Sequence, residues 1–344
     1  MNHIAVTHSK TCPSPCLRAP ASALSLPMAV SLPGGRYIRN QYETEARPAH
    51  PELQTIWGPI VNAYCYHSAQ NLNKRTKNTT AETFSVNALN QLTSIPDSTP
   101  VYDRRGNLVS RTFSANQTWT YTYDHENRLT SVATDRYYTP ESYRFKVEFV
   151  YDGQGRLRIK RNHICSGGGW YGSRGETRYL YDGMLIVQER DSGNTPTVTY
   201  TRGRDLSGSL DGAGGIGGLL ARSHGYSAGS WSDHNFYHAD GNGNVTALVN
   251  SSGTLQASYI YDPYGRYLTG SGTLLTANAM RFSSKPWVSF LSSSATSGLY
   301  YYGYRFYDPY SQRWLNRDPL PRDESANLYF YVANSPLWLA DAHG

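Results

Sequence analysis

The chain has 344 residues, of which 13% are aromatic and only 17% charged, with 29 Tyr and 31 Gly. Tyr, Thr and Val suit a pleated, half-buried surface and Gly and Asn suit the turns between strands, so this composition points to an all-β chain and away from a helical one. The net charge of +6 is spread along the sequence with no long Lys/Arg run, which leaves no nucleic-acid footprint, and no segment approaches the roughly 20 apolar residues of a membrane span.

In chain order, residues 1–45 show no periodicity and carry several Pro, Ser and Ala, the composition of a disordered or poorly packed leader. The mildly apolar stretch 19–33 is broken by prolines and lacks a compact basic start, so it makes a poor secretory signal. Four cysteines occur: Cys12, Cys16, Cys65 and Cys165. Cys12 and Cys16 lie in T-C-P-S-P-C with no downstream Cys-His pair to complete a zinc set, and read as free thiols or part of a disordered tail. The histidines are scattered without an H-E-x-x-H pair, and no dinucleotide, kinase or G-x-S-x-G hydrolase motif is found, so neither metal nor cofactor is expected.

From about residue 80 an internal repeat emerges, and repeats define architecture before anything else does. T-F-S-V-N-A-L-N-Q-L-T-S-I begins at Thr83, P-V-Y-D-R-R-G-N-L at Pro100, Y-T-Y-D-H-E-N-R-L at Tyr121 and F-V-Y-D-G-Q-G-R-L at Phe149. A shortened Y-L-Y-D-G-M-L follows at Tyr179, then Y-I-Y-D-P-Y-G-R-Y at Tyr259 and R-F-Y-D-P-Y-S-Q-R-W-L at Arg305. Each unit predicts one hairpin. An alternating strand ends in Tyr-Asp, the Asp bonds to backbone N–H groups to hold the turn, and Gly or Asn supplies the positive φ. The marker pairs are Tyr102-Asp103, Tyr123-Asp124, Tyr151-Asp152, Tyr181-Asp182, Tyr261-Asp262 and Tyr307-Asp308. Their rings are expected to cover one another on one face of the sheet. The Gly-dense insert Arg202–Ala221 lacks the G-K-[ST] of a phosphate loop and is read as close backbone packing. Tyr237–Gly253 reads as strand, tight turn, strand, tight turn.

The last stretch, Y-Y-Y-G-Y-R-F-Y-D-P-Y-S-Q-R-W-L-N-R-D-P-L-P and then N-L-Y-F-Y-V-A-N-S-P-L-W-L-A-D-A-H-G, joins the Tyr-Asp units, R-G-R-D-L-S-G-S-L and Y-H-A-D-G-N-G-N-V in one pattern from Thr83 to Gly344. That pattern resembles the Rhs repeat-associated core of bacterial Rhs/YD-repeat proteins. The resemblance implies an all-β array of antiparallel YD-repeat hairpins forming a curved spiral sheet, a partial β-cocoon shell, with a C-terminal core plug. It divides the chain into the leader, an array over 46–270 and a plug over 271–344. It also implies self-cleavage by two aspartates in D-P-x-G motifs, which map onto Asp318 and Asp341, with Arg305 and Arg317 available for charge balance. Two close carboxylates cannot both ionise, so one serves as acid and the other activates water. Pro321 stands where the first motif has glycine and Ala342 where the second has proline, so a turn-holding role is the competing expectation.

Three functions are weighed. The first is a shell or scaffold fragment of an Rhs-type toxin or cell-surface contact protein. Its partners would be the rest of a longer shell or an enclosed polypeptide, it would carry no payload past Gly344, and its setting would be secreted or cell-surface. The second is a carbohydrate-binding surface using Trp287 and Trp314. The third is the self-cleaving aspartate pair.

Overall fold

In the computed structural model, the described residues are 29–32, 36–42, 60–77, 80–114, 117–135, 144–166, 169–291, 296–320 and 327–344. Cys12, Cys16, Pro321 and most of the 1–45 leader lie outside them. The chain divides into two compact units. One holds the residues up to Pro100 together with Asp318–Phe330, and the other holds Val101–Arg317 and Tyr331–Gly344.

The first unit is a five-stranded sheet of β1 (Ala29–Leu32), β2 (Arg36–Tyr42), β3 (Ile60–Tyr66), β4 (Leu72–Lys77) and β5 (Thr80–Thr83), followed by the small hairpin β6 (Ser85–Val86) and β7 (Leu92–Ser94). Two of its strands therefore fall within the 1–45 leader. β2 and β3 run parallel. Fully buried Arg75 is neutralised by Glu82 at 2.6 Å and lies over the Phe84 ring. The returning C-terminal stretch is held by side-chain amides: Asn327 Nδ2 donates to Asn71 Oδ1 at 3.0 Å, and Asn71 Nδ2 to Asn90 Oδ1 at 2.7 Å.

The second unit carries the repeats. Alternation of inner and outer residues along each Tyr-Asp segment leaves the extended strand as its one good conformation, and the aspartate ends it. Fourteen strands follow: β8 (Thr99–Tyr102), β9 (Leu108–Ser114), β10 (Gln117–Tyr123), β11 (Leu129–Thr134), β12 (Lys146–Tyr151), β13 (Leu157–Ser166) and β14 (Gly169–Asp182). The series continues with β15 (Leu185–Arg190), β16 (Pro196–Arg202), β17 (Leu219–Ser227), β18 (Ser230–Ala239), β19 (Val245–Asn250), β20 (Leu255–Tyr261) and β21 (Tyr267–Ser271). They form one 14-stranded sheet in strict sequence order, a meander that does not close on itself. In such a meander alternate turns fall on opposite edges. The turns at Asp103, Asp124, Asp152, Asp182, Asp240 and Asp262 therefore share one edge, hereafter the turn edge.

One face of this sheet is apolar. Tyr121, Val132, Val147, Phe149, Tyr179, Tyr200, Leu248 and Tyr259 are all buried in the core cluster there. The C-terminal segment supplies the facing layer, with Met280, Val288, Phe290, Leu299, Tyr301, Phe306 and Leu315 in the same core. That segment has its own four-stranded sheet, β22 (Trp287–Ser289), β23 (Gly298–Tyr301), β24 (Phe306–Asp308) and β25 (Arg313–Trp314). The pair Tyr307-Asp308, which reads as a seventh repeat in the sequence, thus belongs to this smaller sheet. Among the described residues the helical content is two short 3-10 turns. The all-β hairpin array is the architecture the sequence predicts.

Candidate functional site

The turn edge repeats one device. In the Asp124 turn, Asp124 N–H donates to Arg128 O at 3.0 Å. The Asp124 carboxylate accepts the N–H of Glu126 at 2.9 Å, the N–H of Arg128 at 3.0 Å and Arg128 Nε at 2.7 Å. Asn127 takes the left-handed position with φ 61°. The Asp152 and Asp262 turns repeat this geometry with Arg156 and Arg266, and the Asp103 and Asp240 turns do so with Asn107 and Asn244. Partial burial opposes ionisation of Asp124 and Asp152. The donated hydrogen bonds outweigh it, and both carboxyls lie below their ordinary range. The Asp182 unit is different: its turn is cut to two residues, with Gly183 at φ 56°.

Successive hairpins are then locked together by their tyrosines. Tyr123 donates its hydroxyl to Leu108 O at 2.9 Å, Tyr151 to Leu129 O at 2.6 Å and Tyr181 to Leu157 O at 2.8 Å. Each acceptor is the leucine just past the turn of the preceding hairpin. The arginine of one turn also stacks on the tyrosine of the next, Arg128 over Tyr151 at 5.1 Å and Arg156 over Tyr181 at 5.0 Å. Burial raises the pKa of all three tyrosines, which keeps them protonated and able to donate.

At three turns the N–H of the first strand residue past the turn meets the C-terminal segment. Leu108 N–H donates to Leu315 O at 3.0 Å, Leu157 N–H to Tyr301 Oη at 2.9 Å and Val245 N–H to Arg281 O at 3.1 Å. Tyr300 and Tyr307 donate to Gly265 O and Tyr264 O at 3.2 and 2.9 Å, and Asn316 Nδ2 donates to Asn127 O at 3.0 Å. A buried ion pair, Arg111 with Asp308 at 3.1 Å, ties β9 to β24. The segment is thus bonded at five of the array's turns.

Behind these contacts lies a nest of rings. Tyr302, Tyr307, Trp314 and Tyr331 are buried against one another, with Tyr307 and Tyr331 centroids 4.2 Å apart and the Tyr302 and Tyr331 hydroxyls 2.8 Å apart. Trp287 is 7% and Trp314 1% exposed, so neither indole offers a face to a sugar. Arg305 lies with its guanidinium 4.4 Å above Trp314.

The two motif aspartates hold turns in different units. Asp318, in the first, accepts the Leu320 N–H at 3.0 Å. Asp341, in the second, accepts the N–H groups of His343 and Gly344 at 3.1 and 2.7 Å. Arg317 is half-buried beside the unit boundary. The sequence did not single out Lys285, yet it is the polar centre of this end. Its buried Nζ donates to Ala342 O at 2.5 Å and Gly214 O at 2.8 Å. Burial, and then the charge of Arg202, brings its pKa down to about 7, against the opposing pull of Asp341 and Asp205. Gly214 has φ +63°, and a side chain there would collide with Ala342 O, which is the close backbone approach expected of the Gly-dense insert.

Asp-pinned hairpins, interlocked tyrosine to leucine and bonded along one edge to a single C-terminal segment, define a YD-repeat array. Residues 102–140 match the family described as RHS Repeat, and the chain resembles the Rhs/YD-repeat proteins. It is 29% identical over 267 residues to the tRNA3(Ser)-specific nuclease WapA of Bacillus spizizenii, covering 76% of this chain and 10% of that protein. Against the double-stranded DNA deaminase toxin A of Burkholderia cenocepacia it is 28% identical over 244 residues, 69% of this chain and 16% of that one. Toxin subunit YenC1 of Yersinia entomophaga is 33% identical over 96 residues, covering 28% of this chain and 9% of its own. The chain therefore spans between 9% and 16% of the length of these relatives. Among solved structures, the crystal structure of TcdB2-TccC3-Cdc42 matches 93% of this chain and 19% of its own, with a TM-score of 0.47 and 18% identity.

Proposed function

We propose that the chain is a segment of shell wall with its plug, from a secreted or cell-surface Rhs-type toxin, and that it packs around or presents a polypeptide. On this reading residues 46–270 serve as the array and 271–344 as the core, following the leader 1–45. The observation that carries it is the unbroken 14-stranded meander bonded along its turn edge to the C-terminal segment. An array so bonded is a rigid surface and not a catalytic pocket. We take Asp318 and Asp341 as turn holders, because each spends carboxylate lone pairs on backbone N–H groups of its own turn. Arg305 is assigned to packing on Trp314, and Arg317 keeps only the charge-balancing role the family motif would give it.

The test is an unfolded, protease-sensitive extension after Gly344. A shell slows its digestion at least roughly tenfold relative to the same extension on an unrelated domain, and equal rates reject the shell. The same sample reads out self-cleavage. The turn-holder assignment expects an intact extension, while a cut abolished by Asp318→Asn or Asp341→Asn would reinstate the aspartate pair.

A further inference from the structure

The inner face of the sheet is not apolar throughout. On β18 the inner positions pass from exposed Asp233 to buried Asn235 and Tyr237, so the covering layer ends between Asp233 and Asn235. Arg222 of β17 lies at that border, directly opposite Tyr200 on one side and Asn235 on the other. Arg222 is 3% exposed, and among the described residues neither its Nε nor its Nη1 meets a hydrogen-bond partner. Around it the polar groups are already engaged. Tyr200 donates to Glu189 Oε1 at 2.6 Å, Tyr237 to Asn278 Oδ1 at 2.7 Å and Tyr259 to Leu275 O at 2.9 Å. Glu189, the acid facing this cluster, is thus held by a tyrosine. The remaining neighbour, His224, lies opposite Asp233 in register, with its Nδ1 3.4 Å from Asn235 Nδ2. Burial, and then the charge of Arg222, disfavours the protonated form of His224, against the opposing pull of Asp233.

A buried guanidinium with two nitrogens unbonded carries a desolvation cost that a charged partner offsets well. We propose that Arg222 anchors an oxyanion site at this border, framed by Tyr200, Asn235 and His224, which takes a carboxylate. Among the described residues at this border, Arg222 brings one positive charge, which matches a monoanion. A phosphate dianion would need a second one, and Arg202 is committed to Ile186 O at 2.9 Å. The carboxylate has two possible sources, a free small acid or an acidic side chain of a polypeptide lying on the inner face. The site is independent of whether the shell encloses anything.

The experiment uses the full chain. Thermal melting is followed while acetate replaces chloride at constant ionic strength, and again with a blocked aspartyl peptide against its asparaginyl twin. Binding to the folded state alone raises Tm saturably. The site predicts such a rise in the wild type, at least roughly tenfold weaker in Arg222→Lys, which keeps the charge but not the planar donors, and absent in Arg222→Met. A rise with acetate assigns a free acid; a rise only with the aspartyl peptide assigns a polypeptide. Should Arg222→Met not fold, the lysine variant and the shift of the Arg222 Nε–H resonance on titration decide. No saturable rise with either probe, or an equal rise in the variants, overturns the proposal.

Discussion

The hairpin array and the C-terminal segment are both β structure, yet they are held in opposite ways. In the array the repeated turns are closed by a carboxylate that accepts N–H groups up to four residues on, and three hairpins are each tied to the preceding one by a tyrosine. In the C-terminal segment the decisive contacts span far longer stretches: Arg111 with Asp308, Leu157 with Tyr301, Lys285 with Ala342. A local device repeated many times loses little when one copy fails. A long-range contact has no second copy.

The contrast is broken or sharpened by substitution, beginning in the C-terminal segment. Trp314→Ala removes the ring at the centre of the nest and is expected to cost about 3–5 kcal/mol, read as a lower urea midpoint. Asp308→Ala leaves Arg111 buried without its carboxylate and costs about 3–5 kcal/mol, and the further change Arg111→Met recovers most of that loss. Failure of the double variant to recover would mean the pair does more than neutralise itself.

Effects in the array are smaller. Asp124 and Asp152 ionise more readily folded than unfolded. Their contribution is complete above the unfolded carboxylate value of about 4 and is lost as pH falls through the lower folded value. Stability is therefore expected to drop below about pH 4, with a shallower slope in Asp152→Asn, as measured by urea melts at stepped pH. Tyr151→Phe keeps the packing and deletes only the bond to Leu129 O, for a loss of about 1 kcal/mol. A loss as large as that of Trp314→Ala would erase the distinction between the two regions.

The same division decides what could be read from the amino-acid sequence. Turn chemistry is local, so Y-D-x-x-G/N announces the Asp124 and Asp152 hairpins, and the Gly-dense insert announces close backbone packing. The reach of each aspartate to the residue four on, and the tyrosine-to-leucine lock, follow from register, which spacing alone does not reveal. Tyr307-Asp308 carries the repeat motif but pairs with β23 and β25 in the smaller sheet, and Asp308 meets Arg111 of β9, far away in sequence. Trp287 and Trp314 look available in an open sheet and are buried by partners that no periodicity names. Arg222 and Lys285 were invisible because isolated cations acquire meaning only from what surrounds them.

Amide hydrogen exchange at Leu108, Leu157 and Val245 bears most directly on the bonding of array to plug. Among the described residues, their N–H groups find their acceptors in the C-terminal segment. If the two regions form one body, these amides are as protected as their strand neighbours and are released together by Trp314→Ala. Exchange at the rate of open turn amides in the wild type would contradict the account.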